Sequence, residues 1–161
     1  MFNARRFALP LIALASLALL VACSSNPAKR VSPPAASIQQ LSIDAAGNWK
    51  IDLRLQNYSG MPMRFDKLDL AVSAGEQAAG SVRATPGISI GPESADVVEV
   101  TLTPSSAARI VAADALASRR SLAYVLKGTV IATPEGKKPR DFDVDARNSL
   151  NPAPGLDGVL R

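Results

Sequence analysis

Trp49-Lys50-Ile51-Asp52-Leu53-Arg54-Leu55-Gln56 is the stretch that decides the fold. Trp49, Ile51, Leu53 and Leu55 alternate with Lys50, Asp52, Arg54 and Gln56. A period of two puts the apolar set on one face of a strand and the polar set on the other, so this strand is half buried. Ala46-Gly47-Asn48 precedes it and reads as a hairpin turn. Before that turn, Ile38, Leu41 and Ile43 mark a first strand, whose alternation slips at Gln39-Gln40.

The same period recurs downstream. Phe65, Leu68, Leu70 and Val72 give a third strand, and Ser73-Ala74-Gly75-Glu76 turns it into a fourth, small-residue strand through Val82. Ile88-Ser89-Ile90 adds a short piece before Gly91-Pro92. Val98, Val100 and Leu102 form the fifth main strand. The period then changes. Thr103-Pro104-Ser105-Ser106 reads as a helix start, with a hydroxyl cap and proline in the first turn. Ile110, Val111 and Leu116 are its expected buried stripe, and Arg119-Arg120 follow its end, where cations suit the helix dipole. Leu122, Tyr124 and Leu126 open a sixth strand reaching Ile131, and Thr133-Pro134-Glu135-Gly136 turns it. Phe142 and Val144 mark the seventh. About seven short strands with turns between them argue for an antiparallel β-sandwich of the immunoglobulin or fibronectin type III kind, with one α-helix inserted before the sixth strand.

The N-terminus reads differently. Arg5 and Arg6 precede an apolar run from Phe7, and the run ends in Leu20-Val21-Ala22-Cys23. Basic start, apolar middle and small-residue end make a secretory signal. The run is short for a membrane span, which needs about 18 or more apolar residues, and Pro10 and Ser16 interrupt it. Cys23 is the only cysteine, so it has no internal disulfide partner. Leu20-Val21-Ala22-Cys23 resembles the lipobox of bacterial lipoproteins. The resemblance implies cleavage between Ala22 and Cys23, a diacylglycerol thioether on Cys23 and a third, N-linked acyl chain such as palmitate. Two or three chains on one residue would make a lasting anchor, where one alone binds only marginally. Ser24 follows the cysteine where Asp would signal inner-membrane retention, so the resemblance implies an outer-membrane lipoprotein facing the periplasm.

The expected organisation is therefore a signal peptide over 1–22, a lipidated N-terminus and flexible tether over 23–36, the sandwich over 37–147, and an irregular tail over 148–161 that lies loose or packs as coil. Ser24-Ser25-Asn26-Pro27 and Ser32-Pro33-Pro34 supply the tether with turn and extended-chain formers.

Composition excludes several function classes. There is no histidine. Neither Ser-His-Asp nor Cys-His catalysis can be built, nor a histidine-ligated zinc. Loss of Arg5 and Arg6 lowers the net charge from +4 to +2. Aromatic residues make up 4% of the chain, too few to interleave with basic stripes as nucleic-acid binding requires. Lys137-Lys138-Pro139-Arg140 reads as a soluble loop end, with contact to anionic lipid headgroups as the weaker reading. No small-molecule ligand is evident.

Three short stretches and two aromatic residues invite reading as sites. Asp141-x-Asp143-x-Asp145 imitates the start of an EF-hand calcium loop, but Ala146 and Pro152 stand where glycine and glutamate belong, so a strand's solvent face is expected. Trp49 and Tyr124 are expected in the core. Met61-Pro62-Met63 reads equally as a flexible apolar binding loop or as a cover for one end of the sandwich. Asn57-Tyr58-Ser59 fits the glycosylation pattern by chance.

The strand order, five strands, a helix and two strands, resembles the late-embryogenesis-abundant type 2 proteins, which carry the water-stress and hypersensitive-response domain. The matching pieces are Leu53-Arg54-Leu55-Gln56-Asn57 followed by Pro62 and Phe65, then Leu68-Asp69-Leu70-Ala71-Val72 leading to Gly75 and Ala79-Gly80, then Tyr124-Val125-Leu126-Lys127-Gly128-Thr129-Val130. The family usually places proline after that asparagine, and here Tyr58 stands instead. The resemblance implies a sandwich without an active site and a role in stress or desiccation protection through protein or membrane contact. The alternative is an accessory or adaptor lipoprotein of an envelope transport or assembly complex, for which a tethered sandwich offers edge strands.

Overall fold

The computed structural model describes residues 29–161. Ala22 and Cys23, with the signal peptide and the first part of the tether, lie outside the described residues. The strands run β1 Ala35–Ile43, β2 Trp49–Gln56, β3 Met63–Ala74, β4 Gln77–Ala84, β5 Ile88–Ile90 and β6 Ala95–Leu102. The helix α1 spans Ser106–Ala117, and β7 Leu122–Pro134, β8 Arg140–Leu150 and β9 Val159–Leu160 follow it. One antiparallel sheet has the order β6-β2-β1-β9. The other has the order β4-β3-β7-β8, with β5 pairing the opening residues of β3 beside β4.

The two sheets bury their apolar faces against each other. Trp49, Ile51, Leu53 and Leu55 supply one side of the core, and Phe65, Leu68, Leu70, Leu126 and Val130 the other. Each is at most 2% exposed, as period-two alternation requires. The alternation slips where strands bulge. Apolar spacing widens from two to three between Ile38 and Leu41, and the β1–β2 register shifts between Ile38 and Gln40. It widens again between Phe65 and Leu68, where the β3–β7 register shifts. One extra residue at each site restores the apolar set to the core face.

Gly128 shows how closely β3 and β7 approach. It pairs with Leu70 at φ +151°, and a Cβ there would lie 2.1 Å from the Asp69 carbonyl oxygen. Only glycine leaves that carbonyl room.

The helix is fastened at both ends. Ser105 is its N-cap; its hydroxyl accepts from Ala108 N–H at 3.2 Å and donates to the Ala78 carbonyl of β4 at 2.7 Å. Pro104 therefore lies before the cap, not inside the first turn as the sequence suggested. At the far end Arg120 N–H bonds Ala115 O at 2.8 Å and Arg119 N–H bonds Leu116 O at 3.2 Å. Arg119 has φ +52°, so it takes the left-handed place usually given to glycine in a Schellman closure.

The buried stripe of α1 corrects the sequence reading. Ala108, Ala112 and Ala115 face inward, while Ile110 is 69% exposed and Val111 and Leu116 are half-buried. Alanines at i, i+4 and i+7 make a flat face that lies close on the small-residue strand β4. A large side chain on that face would hold the helix away.

Two boundaries also change. The expected flexible tether over 23–36 ends early: Arg30 O accepts from Gly60 N–H at 2.9 Å, Ser32 N–H donates to Ser59 Oγ at 2.9 Å, and β1 begins at Ala35. The expected loose tail over 148–161 is partly strand. Asn148–Leu150 completes β8, and β9 pairs Leu160 with Leu41 and Val159 with Ser42. Leu160 is fully buried, so the hydrophobic gain from covering the sheet edge fixes the tail.

Candidate functional site

Asn57 organises the pole of the sandwich at which the described chain begins. It directly follows β2 and is fully buried. Its Nδ2 amide donates to the carbonyls of Met61, Ile90 and Gly91 at 2.9–3.1 Å, and its Oδ1 accepts from Ser59 N–H at 2.8 Å. One side chain thus ties the β2–β3 loop to the β5–β6 loop. A buried amide satisfied on both ends is strongly held, because each lost partner would leave a polar group without water.

Ser59 extends the network to the N-terminal segment. Besides accepting from Ser32 N–H, its hydroxyl donates to Ser32 O at 3.2 Å. Glu93 N–H donates to Ser59 O at 3.2 Å, and Glu135 N–H donates to Pro62 O at 2.9 Å. The β7–β8 turn, with Lys137, Lys138 and Arg140, therefore sits at this same pole as Arg30. Tyr58, in the place where the family has proline, projects from it and is 53% exposed.

These contacts resolve the readings left open by the sequence. Met61 and Met63 are 4% and 0% exposed, so Met61-Pro62-Met63 covers the end of the sandwich and offers no binding loop. The Asn57 amide is spent on three carbonyls, so the glycosylation pattern is inaccessible in the folded chain. Asp141, Asp143 and Asp145 lie exposed along β8, and Asp145 faces Lys127 at 3.5 Å and Arg147 at 3.4 Å. Among the described residues no group of three acids, histidines or cysteines is placed to hold a metal.

Tyr124 is a core residue with a polar tip, 3% exposed. Its hydroxyl accepts from Ile38 N–H at 3.0 Å, at the bulge of β1. Burial raises the phenol above its ordinary pKa, with the Ile38 backbone hydrogen bond opposing it. Two surface groups are shifted by partners. Hydrogen bonds from Asn48 lower Asp44 from its ordinary pKa, and Glu99, 2.7 Å away, raises Lys50. Both stabilise turns and strand pairing and neither is placed for proton transfer.

Asn57 and Gly128 stand in the stretches that carry the family resemblance. The Asn57 partners Ile90 and Gly91 lie 33 and 34 positions away, and no local pattern joins them to it.

The family model for late embryogenesis abundant protein matches residues 52–147. No curated protein matches the sequence. Among solved structures, a solution structure of an Arabidopsis thaliana protein aligns over 84% of this chain and 93% of its own, at 10% identity and a TM-score of 0.57. The solution structure of a protein assigned to the late embryogenesis abundant group aligns over 94% of this chain and 92% of its own, at 12% identity and a TM-score of 0.50. Such distant likenesses speak to the fold, and the matched family model runs from β2 into β8 across both sheets. The chain belongs to the late embryogenesis abundant protein family.

Proposed function

We propose that the protein is a non-enzymatic, stress-protective lipoprotein of the bacterial envelope, anchored in the outer membrane through acyl chains on Cys23 and facing the periplasm. Leu20-Val21-Ala22-Cys23, behind a secretory signal, carries the anchoring part. Family membership supports the stress-related part. Arg30, where the chain joins the Asn57 pole, lies seven positions after Cys23, a distance that a fully extended chain spans in about 25 Å. The anchored domain would thus work close to the bilayer, through its surface. The absence of histidine supports a non-catalytic role.

The test is survival of drying and osmotic shock by a deletion strain. Loss of survival restored by the wild type, and poorly by Cys23→Ser behind a cleavable non-lipid signal, is expected. A deletion strain as resistant as wild type would remove the protective role.

The adaptor reading is favoured by one observation. Among the described residues strand β6 ends its sheet, pairs only with β2, and carries Val97 40% exposed, an edge suited to strand addition. Crosslinking in intact cells separates the two readings: a single dominant envelope protein would favour the adaptor.

A further inference from the structure

The positive charge of the described chain is gathered at one end of the sandwich. The segment before β1, the β2–β3 and β5–β6 loops, and the β7–β8 turn with the first residue of β8 meet at the Asn57 pole. They hold five cations, Lys29, Arg30, Lys137, Lys138 and Arg140, against two acids, Glu93 and Glu135, and all seven are exposed. The opposite pole consists of the β1–β2 and β3–β4 turns, the β6–β7 connection with α1, and the chain after β8. It holds four charges of each sign. The strands between carry seven cations and eight acids. The net positive charge therefore sits wholly at the Asn57 pole.

None of its five cations joins an ion pair among the described residues, whereas five of the seven strand cations do. An exposed basic cluster by itself serves solubility, as the sequence around Lys137 suggests. Its place decides otherwise. The cluster surrounds the point where the chain leaves the sandwich toward Cys23. A tether of about 25 Å keeps this pole, and no other, near whatever Cys23 is fixed to. Charge attraction reaches about 8 Å at physiological salt, so it acts only on a surface the pole can touch. Tyr58 stands 53% exposed among these loops, and an amphipathic ring suits the headgroup level of a bilayer.

We propose that the Asn57 pole docks on anionic phospholipid headgroups. Lys29, Arg30, Lys137, Lys138 and Arg140 meet the lipid phosphates, and Tyr58 rests at the interface. The anchored domain then stands on this pole instead of swinging on its tether. The inference rests on the anchored reading for the membrane's nearness, whereas its test runs without the anchor.

The mature chain from residue 23, carrying Cys23→Ser and so no acyl group, is sedimented with vesicles at low ionic strength. Vesicles of phosphatidylcholine with phosphatidylglycerol are compared with vesicles of phosphatidylcholine alone. Binding to the anionic vesicles only, falling as salt rises, is expected. The triple variant Lys137→Gln, Lys138→Gln, Arg140→Gln leaves the pole neutral and should lose that binding. Arg83→Gln, Lys127→Gln, Arg147→Gln removes the same charge from exposed strand positions and should retain it. On nanodiscs of the anionic mixture, amide shifts should centre on Tyr58 and Gly136 and spare Gly47 and Gly75. No preference for anionic vesicles, equal loss in the two triple variants, or shifts centred away from Tyr58 would overturn the proposal. Such a result beside an acylated native chain removes the docking and leaves the anchor standing.

Discussion

The Tyr124 hydroxyl accepts a 3.0 Å hydrogen bond from Ile38 N–H, joining β7 of one sheet to the bulge in β1 of the other. The bulge disturbs the ladder at Ile38, and the phenol serves its backbone from across the core. Tyr124→Phe keeps the ring and removes that partner. A stability loss of about 1–3 kcal/mol is expected from urea unfolding, because Ile38 N–H is left buried and unpaired.

The same phenol sets an alkaline limit. Its pKa is raised in the folded state above the ordinary phenol value of about 10, chiefly by burial. Above pH 10 the unfolded chain loses the proton first, so the folded state binds more protons and stability falls as pH rises. Below pH 10 the contribution is fully present. The unfolding midpoint of the wild type should drop above pH 10, and that of Tyr124→Phe should drop less.

Gly128→Ala is expected to be among the most damaging single-methyl changes. The added carbon would meet Asp69 O at 2.1 Å and Leu70 Cα at 3.0 Å, both backbone atoms in a paired strand. A loss of about 3 kcal/mol or more is expected. Gly136→Ala is the control, since it has φ +69° but nothing within 4 Å. Its cost should be about 1–2 kcal/mol, that of the left-handed backbone alone.

Asn57→Asp replaces the two N–H donors of the amide with an acceptor facing the carbonyls of Met61, Ile90 and Gly91. A loss of about 3 kcal/mol or more is expected, with thermal unfolding as the measurement. Tyr58→Pro, which restores the usual family residue at an exposed position, should not incur a comparable loss.

The helix face is tested by a pair of changes. Ile110→Ser should alter stability by no more than about 0.5 kcal/mol, since the side chain is 69% exposed. Ala112→Leu should cost about 1–3 kcal/mol by forcing α1 away from the small residues beneath it.

Much of this architecture is legible along the chain, for physical reasons. Strand β2 announces itself because its two faces meet different surroundings, and the slip at Gln39-Gln40 foretells the bulge of β1. A hydroxyl cap at the helix start is equally local, though Ser105 takes the role and leaves Pro104 outside the first turn. The buried face of α1 is not, because hydrophobicity favours Ile110 while the geometry of close approach favours Ala112. Strand β9 escapes for a related reason: two residues carry no periodicity, and only the sheet edge at Leu41 gives Leu160 its place. The recess beside Trp49 is hidden likewise, since Arg109, which also lines it, lies 60 positions away.

Anchoring through Cys23 is read from the intact mass of the protein purified from cell membranes. The expected mass is that of a chain beginning at Cys23 plus a diacylglycerol and an N-linked acyl chain, with Cys23→Ser behind the native signal lacking both. An unacylated mature chain in the soluble fraction, or one beginning elsewhere than Cys23, would contradict it.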